Sequence, residues 1–444
     1  MTQNELRQDT DSYNYELSGG LGHYRLSWPN QLIDIVVERI KPTGPNEVYA
    51  ELTAWSKRPA SAGHLGYGRV GLTSPASRKA MAKTLSEEEP EVRWERILQQ
   101  LAVTIIKEHR QGIPEVAING VVQPESLRWF IHPLVEHNQP TLIYGDGSAG
   151  KSWLAQMLCL LVIEGMSTHG LIIEDSANVL FLDYETSQPE IETRVGMLRN
   201  GLGLSPQTSS STGCRLWYKK MSQSIVADLD ELQRVVQERN IRFIVVDSVS
   251  SACGGAPEEA GVVLDMFDAI GKLQVPSLLI DHISKTKGDG TIFGSVFKRN
   301  RGRQVFRVRK ADEEMTDVID IAMFHEKANN SRRISPMGWQ LTIDNERHSA
   351  TFIRKDVRDT ALEPEMRIID RIQTQLITNG PLSVKDLAGI LDKSENHIST
   401  ELSRNKNRFQ RDSTNRFSIN LLPSGTSELP DKVIIPKGVP LWEG

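Results

Sequence analysis

The run Gly145-Asp-Gly-Ser-Ala-Gly-Lys-Ser152 sets three glycines ahead of a lysine and a hydroxyl residue. It fits G-x-x-x-x-G-K-[ST] at every fixed position, and that spacing has a chemical purpose. Gly145, Gly147 and Gly150 let the backbone curl, so that N–H groups of the loop, those of Asp146, Ser148 and Ala149 included, face a polyphosphate at the positive end of the next helix. Lys151 is placed to reach the β- and γ-phosphates, and the Ser152 hydroxyl to take a position on Mg²⁺. The flanks are the required ones. Thr141-Leu-Ile-Tyr144 reads as a strand, and Trp153-Leu-Ala-Gln-Met-Leu-Cys-Leu-Leu161 as a helix. A chance glycine-rich turn before a helix would need none of these features. The expected ligands are ATP and Mg²⁺.

Three later segments end in groups that could complete hydrolysis. Val179-Leu-Phe-Leu-Asp-Tyr-Glu185 reads as a buried strand followed by an acid. In-line attack on a γ-phosphate needs a group that orients the water, and Glu185 stands just past a strand end, where parallel sheets bind ligands. A solvated loop acid is the competing reading. In Arg242-Phe-Ile-Val-Val-Asp-Ser248, four apolar residues deliver Asp247 to the Mg²⁺ shell beside Ser152. In Ser277-Leu-Leu-Ile-Asp-His-Ile-Ser-Lys285, His282 is placed to hydrogen-bond the γ-phosphate and report its loss, or is an ordinary surface or core histidine.

To meet, these groups must lie at one edge of a single sheet. From Thr141 to about Phe352, apolar strands alternate with amphipathic helices, the pattern of a parallel sheet flanked by helices. Its strands are expected at Leu142–Tyr144, Val179–Asp183, Arg215–Tyr218, Phe243–Asp247 and Ser277–Ile280. Gln304–Val308, Val318–Phe324 and Trp339–Ile343 follow without intervening helices and read as an antiparallel extension.

The flanking units are different in kind. Residues 1–17 are polar and expected to be disordered, and 18–112 read as a small α+β domain. That domain has strands at Leu32–Ile40 and Val48–Trp55, a helix opening at Ser74-Pro75, and a second with Trp94, Ile97, Leu98, Leu101 and Ile105 on one face. Residues 113–140 hold four prolines and read as a linker into the nucleotide-binding domain, 141–358. In 359–422, a helix from Pro364, Ser383- and Ser394-capped helices (Val384–Leu391 and Glu395–Asn405) and a hairpin over Phe409–Ile419 follow the order of a winged helix-turn-helix. Residues 423–444 read as a loose tail.

Composition sets outer bounds. A chain of 444 residues implies two or three domains, and 25% charged with 39% hydrophobic residues is ordinary for a soluble protein. No apolar run approaches the roughly 18 residues of a membrane span. The polar, acid-bearing start is not a targeting peptide. Cys159, Cys214 and Cys253 lack metal-ligand spacing and suit reduced thiols in the cytoplasm. With a net charge of −5, any contact with nucleic acid must rest on local basic patches.

The order phosphate loop, strand-Asp-x-Glu, strand-Asp-Ser, strand-x-His-x-Ser-Lys resembles the RecA-like ATPase core. Among RecA-like proteins it is most similar to the RepA-type hexameric replicative helicases of plasmids and to related phage and mobile-element ATPases. The resemblance covers roughly residues 120–345, including the segment Gly288–Arg303 and the strand end Lys327-Ala-Asn329. It implies an α/β fold with a RecA-like core and mainly parallel sheet, and a homo-oligomeric, hexameric ring with the nucleotide between subunits. By position it also implies catalytic roles for Lys151, Glu185, Asp247 and His282, and an arginine finger given to the neighbour's nucleotide. Arg303 or Arg301 fits that role, with Lys327 as a further group in trans; Arg299, Arg307 and Arg309 keep the choice open.

Lys285, Lys287 and the stretch Lys298–Lys310 are the densest positive region, with Phe293, Phe297 and Phe306 interleaved. In a ring, Lys285, Lys287, Lys298, Arg299 and Arg301 would follow the phosphates of single-stranded DNA; a solvated face with one finger arginine is the other reading. Arg404, Lys406 and Arg411 are candidates for DNA contact by the winged helix, duplex DNA included, although such modules also dock proteins. The expectation is a DNA-dependent ATPase acting as a replicative-type helicase. The alternative is a RecA-like DNA-binding ATPase that loads or remodels partners in recombination or phage defence. A regulator that uses ATP only as an assembly signal would have no use for Glu185.

Overall fold

Alternating burial builds the first sheet of the computed structural model. It describes residues 13–420 except 21, 45, 60, 62, 112–116, 118–119, 121–128, 138, 205–209, 284–291, 293–295 and 312–316. Residues 1–12, the tail from 423, and Lys285, Lys287 and Gly288-Asp-Gly290 therefore lie outside the described residues. The chain divides into two units, Met1–Asp356 and Val357–Gly444.

Strands β1 (Glu16–Gly20), β2 (His23–Trp28), β3 (Ile33–Gly44), β4 (Glu47–Ser56) and β5 (Gly63–Gly71) form an antiparallel meander in that order. Val48, Ala50, Leu52 and Ala54 of β4 all point inward, as period-two geometry requires. They meet α1 (Pro75–Glu88) and α2 (Trp94–Gln111) in a core that includes Trp28, Trp94 and Leu101. Ser74 caps α1 by accepting the Ser77 N–H.

The second sheet carries the candidate chemistry. Its elements run β6 (Trp129–His132), β7 (Val135–Glu136), β8 (Pro140–Gly145), α3 (Lys151–Glu164), β9 (Ile172–Ile173), β10 (Asn178–Asp183), α4 (Gln188–Gly201), β11 (Leu216–Lys220), α5 (Leu229–Glu238) and β12 (Ile241–Asp247). They continue with α6 (Val249–Ala252), α7 (Ala260–Lys272), β13 (Ser277–His282), α8 (Val296–Arg301), β14 (Gln304–Lys310), β15 (Val318–Ala328), β16 (Met337–Asp344) and β17 (Ser349–Lys355). The nine strands lie in the order β11-β10-β12-β13-β8-β14-β15-β16-β17, a mixed sheet that is mostly parallel.

One expectation is corrected. The antiparallel extension begins at β15, because β14 pairs parallel with β8, Val308 opposite Gly145. A parallel neighbour needs a crossover connection. The short helix α8 lies in that crossover, and a six-residue basic segment gives no apolar periodicity by which to find it. Within the stretch expected to be a linker, β6 and β7 pair with each other, β6 pairs with β9, and Phe130, Ile131 and Val135 join the main core.

The second unit comprises α9 (Ile368–Asn379), β18 (Leu382–Ser383), α10 (Val384–Leu391), α11 (Glu395–Arg404), β19 (Phe409–Arg411) and β20 (Arg416–Ile419). Ile372, Leu387, Ile398 and Leu402 form its core, and the strands pair in the order β18-β20-β19. Pro364 is the middle residue of a separate 3-10 turn, Glu363–Glu365, and α9 starts only after the extended Met366. Among the described residues, no helix is long and apolar enough to cross a membrane.

The junction of α4 with β17 is tight enough to test. A Cβ on Gly201 would collide with the Ala350 carbonyl oxygen, whereas one on Gly196 in the same helix meets open space. Gly201→Ala is expected to destabilise the fold by roughly 1–3 kcal/mol. Gly196→Ala should leave thermal stability equal or slightly higher, by helix propensity. Scanning fluorimetry on both variants checks this; equal midpoints would mean that α4 is free to shift off β17.

Candidate active site

The phosphate loop joins the carboxyl end of β8 to α3, where sheet geometry gathers groups from neighbouring strands. Two of its glycines have no room for a side chain. A Cβ on Gly145 would strike the Val308 carbonyl of β14, and one on Gly150, at φ +82°, would strike Ile321. Gly147 faces open space, which leaves the loop's mouth clear. Lys151 is buried, and its Nζ donates to the carbonyls of Gly145 (2.9 Å) and Asp146 (2.6 Å). Burial lowers its pKa, opposed by the charges of Asp247, Glu185 and Asp146.

Around Lys151 the strand ends bring in carboxylates. Asp247, at the end of β12, is 2% exposed and accepts the Ser152 hydroxyl at 2.6 Å. Burial pushes its carboxyl up to about 6, helped by the charges of Glu185 and Asp183 and opposed by the Ser152 hydrogen bond. A hydroxyl and a carboxylate at this distance, the carboxylate short of positive charge, fit Mg²⁺. That ion binds through one or two protein oxygens, with waters and substrate phosphates completing its shell.

Asp183, at the end of β10 and opposite Asp247 in register, is fully buried. Burial opposes its ionisation, but N–H bonds from Thr186 and Glu185 and hydroxyl bonds from Thr186 and Tyr218 hold its pKa below the usual value. Asp183 thus orders the turn that aims Glu185, a role sequence reasoning missed. Its place in the strand-Asp-x-Glu pattern was the available signal.

Glu185 and His282, 97 positions apart in sequence, meet at 2.8 Å between Oε1 and Nε2. Both are about one-third exposed, and His282 lies opposite Gly145 of the phosphate loop in register. The His282 bond is the largest cause holding the Glu185 carboxyl down at about 2, aided by Ser248 and by the charges of His282 and Lys151. Lys151, Ser152, Glu185, Asp247 and His282 are therefore neighbours in the folded chain.

The basic residues divide. Lys298, expected on DNA, is fully buried: its Nζ is 2.9 Å from Asp281 Oδ2 and 2.9 Å from Ser250 Oγ. This corrects the sequence reading, since a cation with no exposed surface cannot follow a phosphate backbone. Arg299 is exposed, and exposed Arg301 pairs with Asp268 at 3.3 Å. Arg303 is exposed at the amino end of β14, its N–H on the Pro140 carbonyl, at the opposite end of the sheet from its own phosphate loop. Lys327, expected as a group in trans, donates to the carbonyls of Arg299, Asn300 and Gly302 and so closes the end of α8.

Arg309 lies beside the phosphate loop, 2.8 Å from Asp146 Oδ2, as the parallel pairing of β14 with β8 dictates. In the second unit, Arg404 pairs with Glu401, Lys406 is exposed, and Arg411 lies over the Phe417 ring.

A family model matches over the region of the phosphate loop. Residues 107–288 match a family described as an AAA domain. No curated protein matches the chain. Among solved structures, the KaiC-like protein PH0186 from the hyperthermophilic archaeon Pyrococcus horikoshii OT3 is similar at 14% identity, covering 50% of this chain and 93% of that one, with a TM-score of 0.36.

The raised pKa of Asp247 has a stability consequence of definite sign. Its carboxyl titrates at 3.8 when unfolded and at about 6 when folded, so the folded chain loses stability as pH rises through that window and carries the whole penalty above it. The shift corresponds to something on the order of 3 kcal/mol. Without nucleotide or divalent ions, Asp247→Asn is expected to raise the thermal midpoint by several degrees at pH 8 and by little at pH 4. An unchanged midpoint at pH 8 would show that Asp247 is already neutralised.

Proposed function

We propose that this protein is a RecA-like, ring-forming, DNA-dependent ATPase, acting as a replicative-type helicase that moves on single-stranded DNA. The observation that carries the hydrolytic part is the Glu185–His282 pair beside Lys151, Ser152 and Asp247. A chain that used ATP only as a structural ligand would not need a water-orienting carboxylate there.

The roles follow from charge and position. Lys151 leaves the carbonyls of Gly145 and Asp146 for the β- and γ-phosphates, and the loop amides do the rest of the holding. Ser152 and Asp247 hold Mg²⁺, which when bound neutralises phosphate charge. Glu185, ionised at any physiological pH, accepts a hydrogen bond from the attacking water and aligns it with the γ-phosphorus. His282 moves its hydrogen bond from Glu185 to a γ-phosphate oxygen, and the return of that bond reports phosphate loss. Arg303, remote from its own phosphate loop, is offered to a neighbour's nucleotide, which makes the ring part of the site. Exposed Arg299 and Arg301 follow the DNA strand, and the second unit serves as a winged helix that presents Arg404, Lys406 and Arg411.

Lys151→Ala is expected to abolish nucleotide binding. Glu185→Gln should bind ATP normally and not hydrolyse it. Turnover by the wild-type chain should rise with single-stranded DNA and accompany strand displacement on a forked duplex. DNA-stimulated turnover without displacement would favour the partner-loading alternative, and equal loss of binding in both variants would make Glu185 structural.

The ring is tested by mixing subunits. Arg303→Ala is expected to lower turnover roughly a thousandfold, with little change in nucleotide affinity. Mixed with Glu185→Gln subunits it should regain activity, because some interfaces then pair an intact Glu185 with an intact Arg303. No rescue, together with weaker DNA binding, would move Arg303 from finger to strand contact.

A further inference from the structure

Burying two opposite charges is costly, and an apolar pair of equal volume is often as stable or more so. Lys298 and Asp281 are nevertheless both fully buried and paired at 2.9 Å. Asp281 spends its other oxygen with equal care: Oδ1 accepts the Ser250 hydroxyl at 2.8 Å and the His282 backbone N–H at 3.0 Å. His282 is the last residue of β13, lies opposite Gly145 in register, and holds Glu185 with its ring. Ser250 sits two residues beyond Ser248, which also bonds Glu185. These contacts of the pair lead to a backbone N–H and a hydroxyl adjoining the hydrolytic groups.

We propose that Lys298 is a positioning residue: through Asp281 it fixes the end of β13 and so sets the His282–Glu185 geometry at which water is aligned. This rests on the hydrolytic reading of Glu185. The segment around Lys298 supports the assignment. On α8 the neighbours Val296, Phe297, Arg299 and Asn300 are all exposed and Lys298 alone is buried, an inversion of ordinary helix burial that hydrophobic packing does not explain.

The test is steady-state ATP turnover by the full chain, at a temperature where every variant is folded. Lys298→Met is expected to lower kcat roughly ten- to a hundredfold, the scale of a misplaced catalytic group, while KM and the affinity for a fluorescent ATP analogue stay within about twofold. In a His282→Ala background the same substitution should cause little further loss, because its main path to Glu185, through the end of β13, is gone. Should Lys298→Met fail to fold, Asp281→Asn with Lys298→Met leaves no buried charge and is expected to fold with the same lowered kcat. A kcat restored in that double variant, or multiplicative losses with His282→Ala, would overturn the positioning role and leave a stabilising pair. If the wild-type chain itself does not hydrolyse ATP, the ATPase reading fails; if it does and Lys298→Met matches it, only this inference fails.

Discussion

Parallel strands that end at one edge bring their last residues together, and three neighbouring strands of this sheet carry an acid there. Asp183, Asp247 and Asp281 sit at the carboxyl ends of three adjacent strands, all essentially without solvent, and the first two face each other in register. Three buried carboxylates so close repel one another and lose their hydration, so each must find compensation or shift its pKa. Asp183 has hydroxyl and N–H donors with the Lys220 ammonium 3.7 Å away, and Asp281 has a buried lysine. Asp247 has one hydroxyl only and is left with a carboxyl pushed up to about 6. The group with incomplete compensation is the one beside the phosphate loop. There the charge of Lys151 offsets burial only in part.

The close packing of the phosphate loop has the same origin. β8 lies between two parallel neighbours, β13 and β14, and both deliver groups to the loop: His282 opposite Gly145 on one side, Arg309 against Asp146 on the other. Strand spacing leaves no volume for a side chain at Gly145, and the approach of β15 leaves none at Gly150. The glycines of the motif thus answer to the sheet as well as to the phosphates.

Most of this site was legible in the sequence because its parts are local. A strand can be read from a short apolar run, and the five expected parallel strands lie in nearly the expected places. What escaped depends on contacts between distant segments. The parallel sense of β14 follows from a crossover whose only described helix is six residues long and basic. The burial of Lys298 cannot be told from the exposure of Arg299 and Arg301, since one cationic run contains all three. The roles of Lys327 and Arg309 come from strand register, which no spacing reveals. In the first sheet, β5 was hidden because four glycines interrupt its alternation.

The crossover between β13 and β14 shows how these pieces act together. It leaves the carboxyl end of the sheet at His282 and returns at the amino end at Gln304, so it must traverse the length of β8. Two lysines hold it. Lys298 ties the middle of α8 to Asp281, and Lys327, from β15, gathers the carbonyls of Arg299, Asn300 and Gly302 at its end. A cation at a helix C-terminus offsets the partial negative charge of those carbonyls. With both lysines turned inward, Arg299, Arg301 and Arg303 are exposed, and Arg301 pairs at the surface with Asp268. Internal cations fix the segment, while Arg299, Arg301 and Arg303 stay at the surface. A displacement of those arginines must therefore strain the same lysine that holds the strand carrying His282.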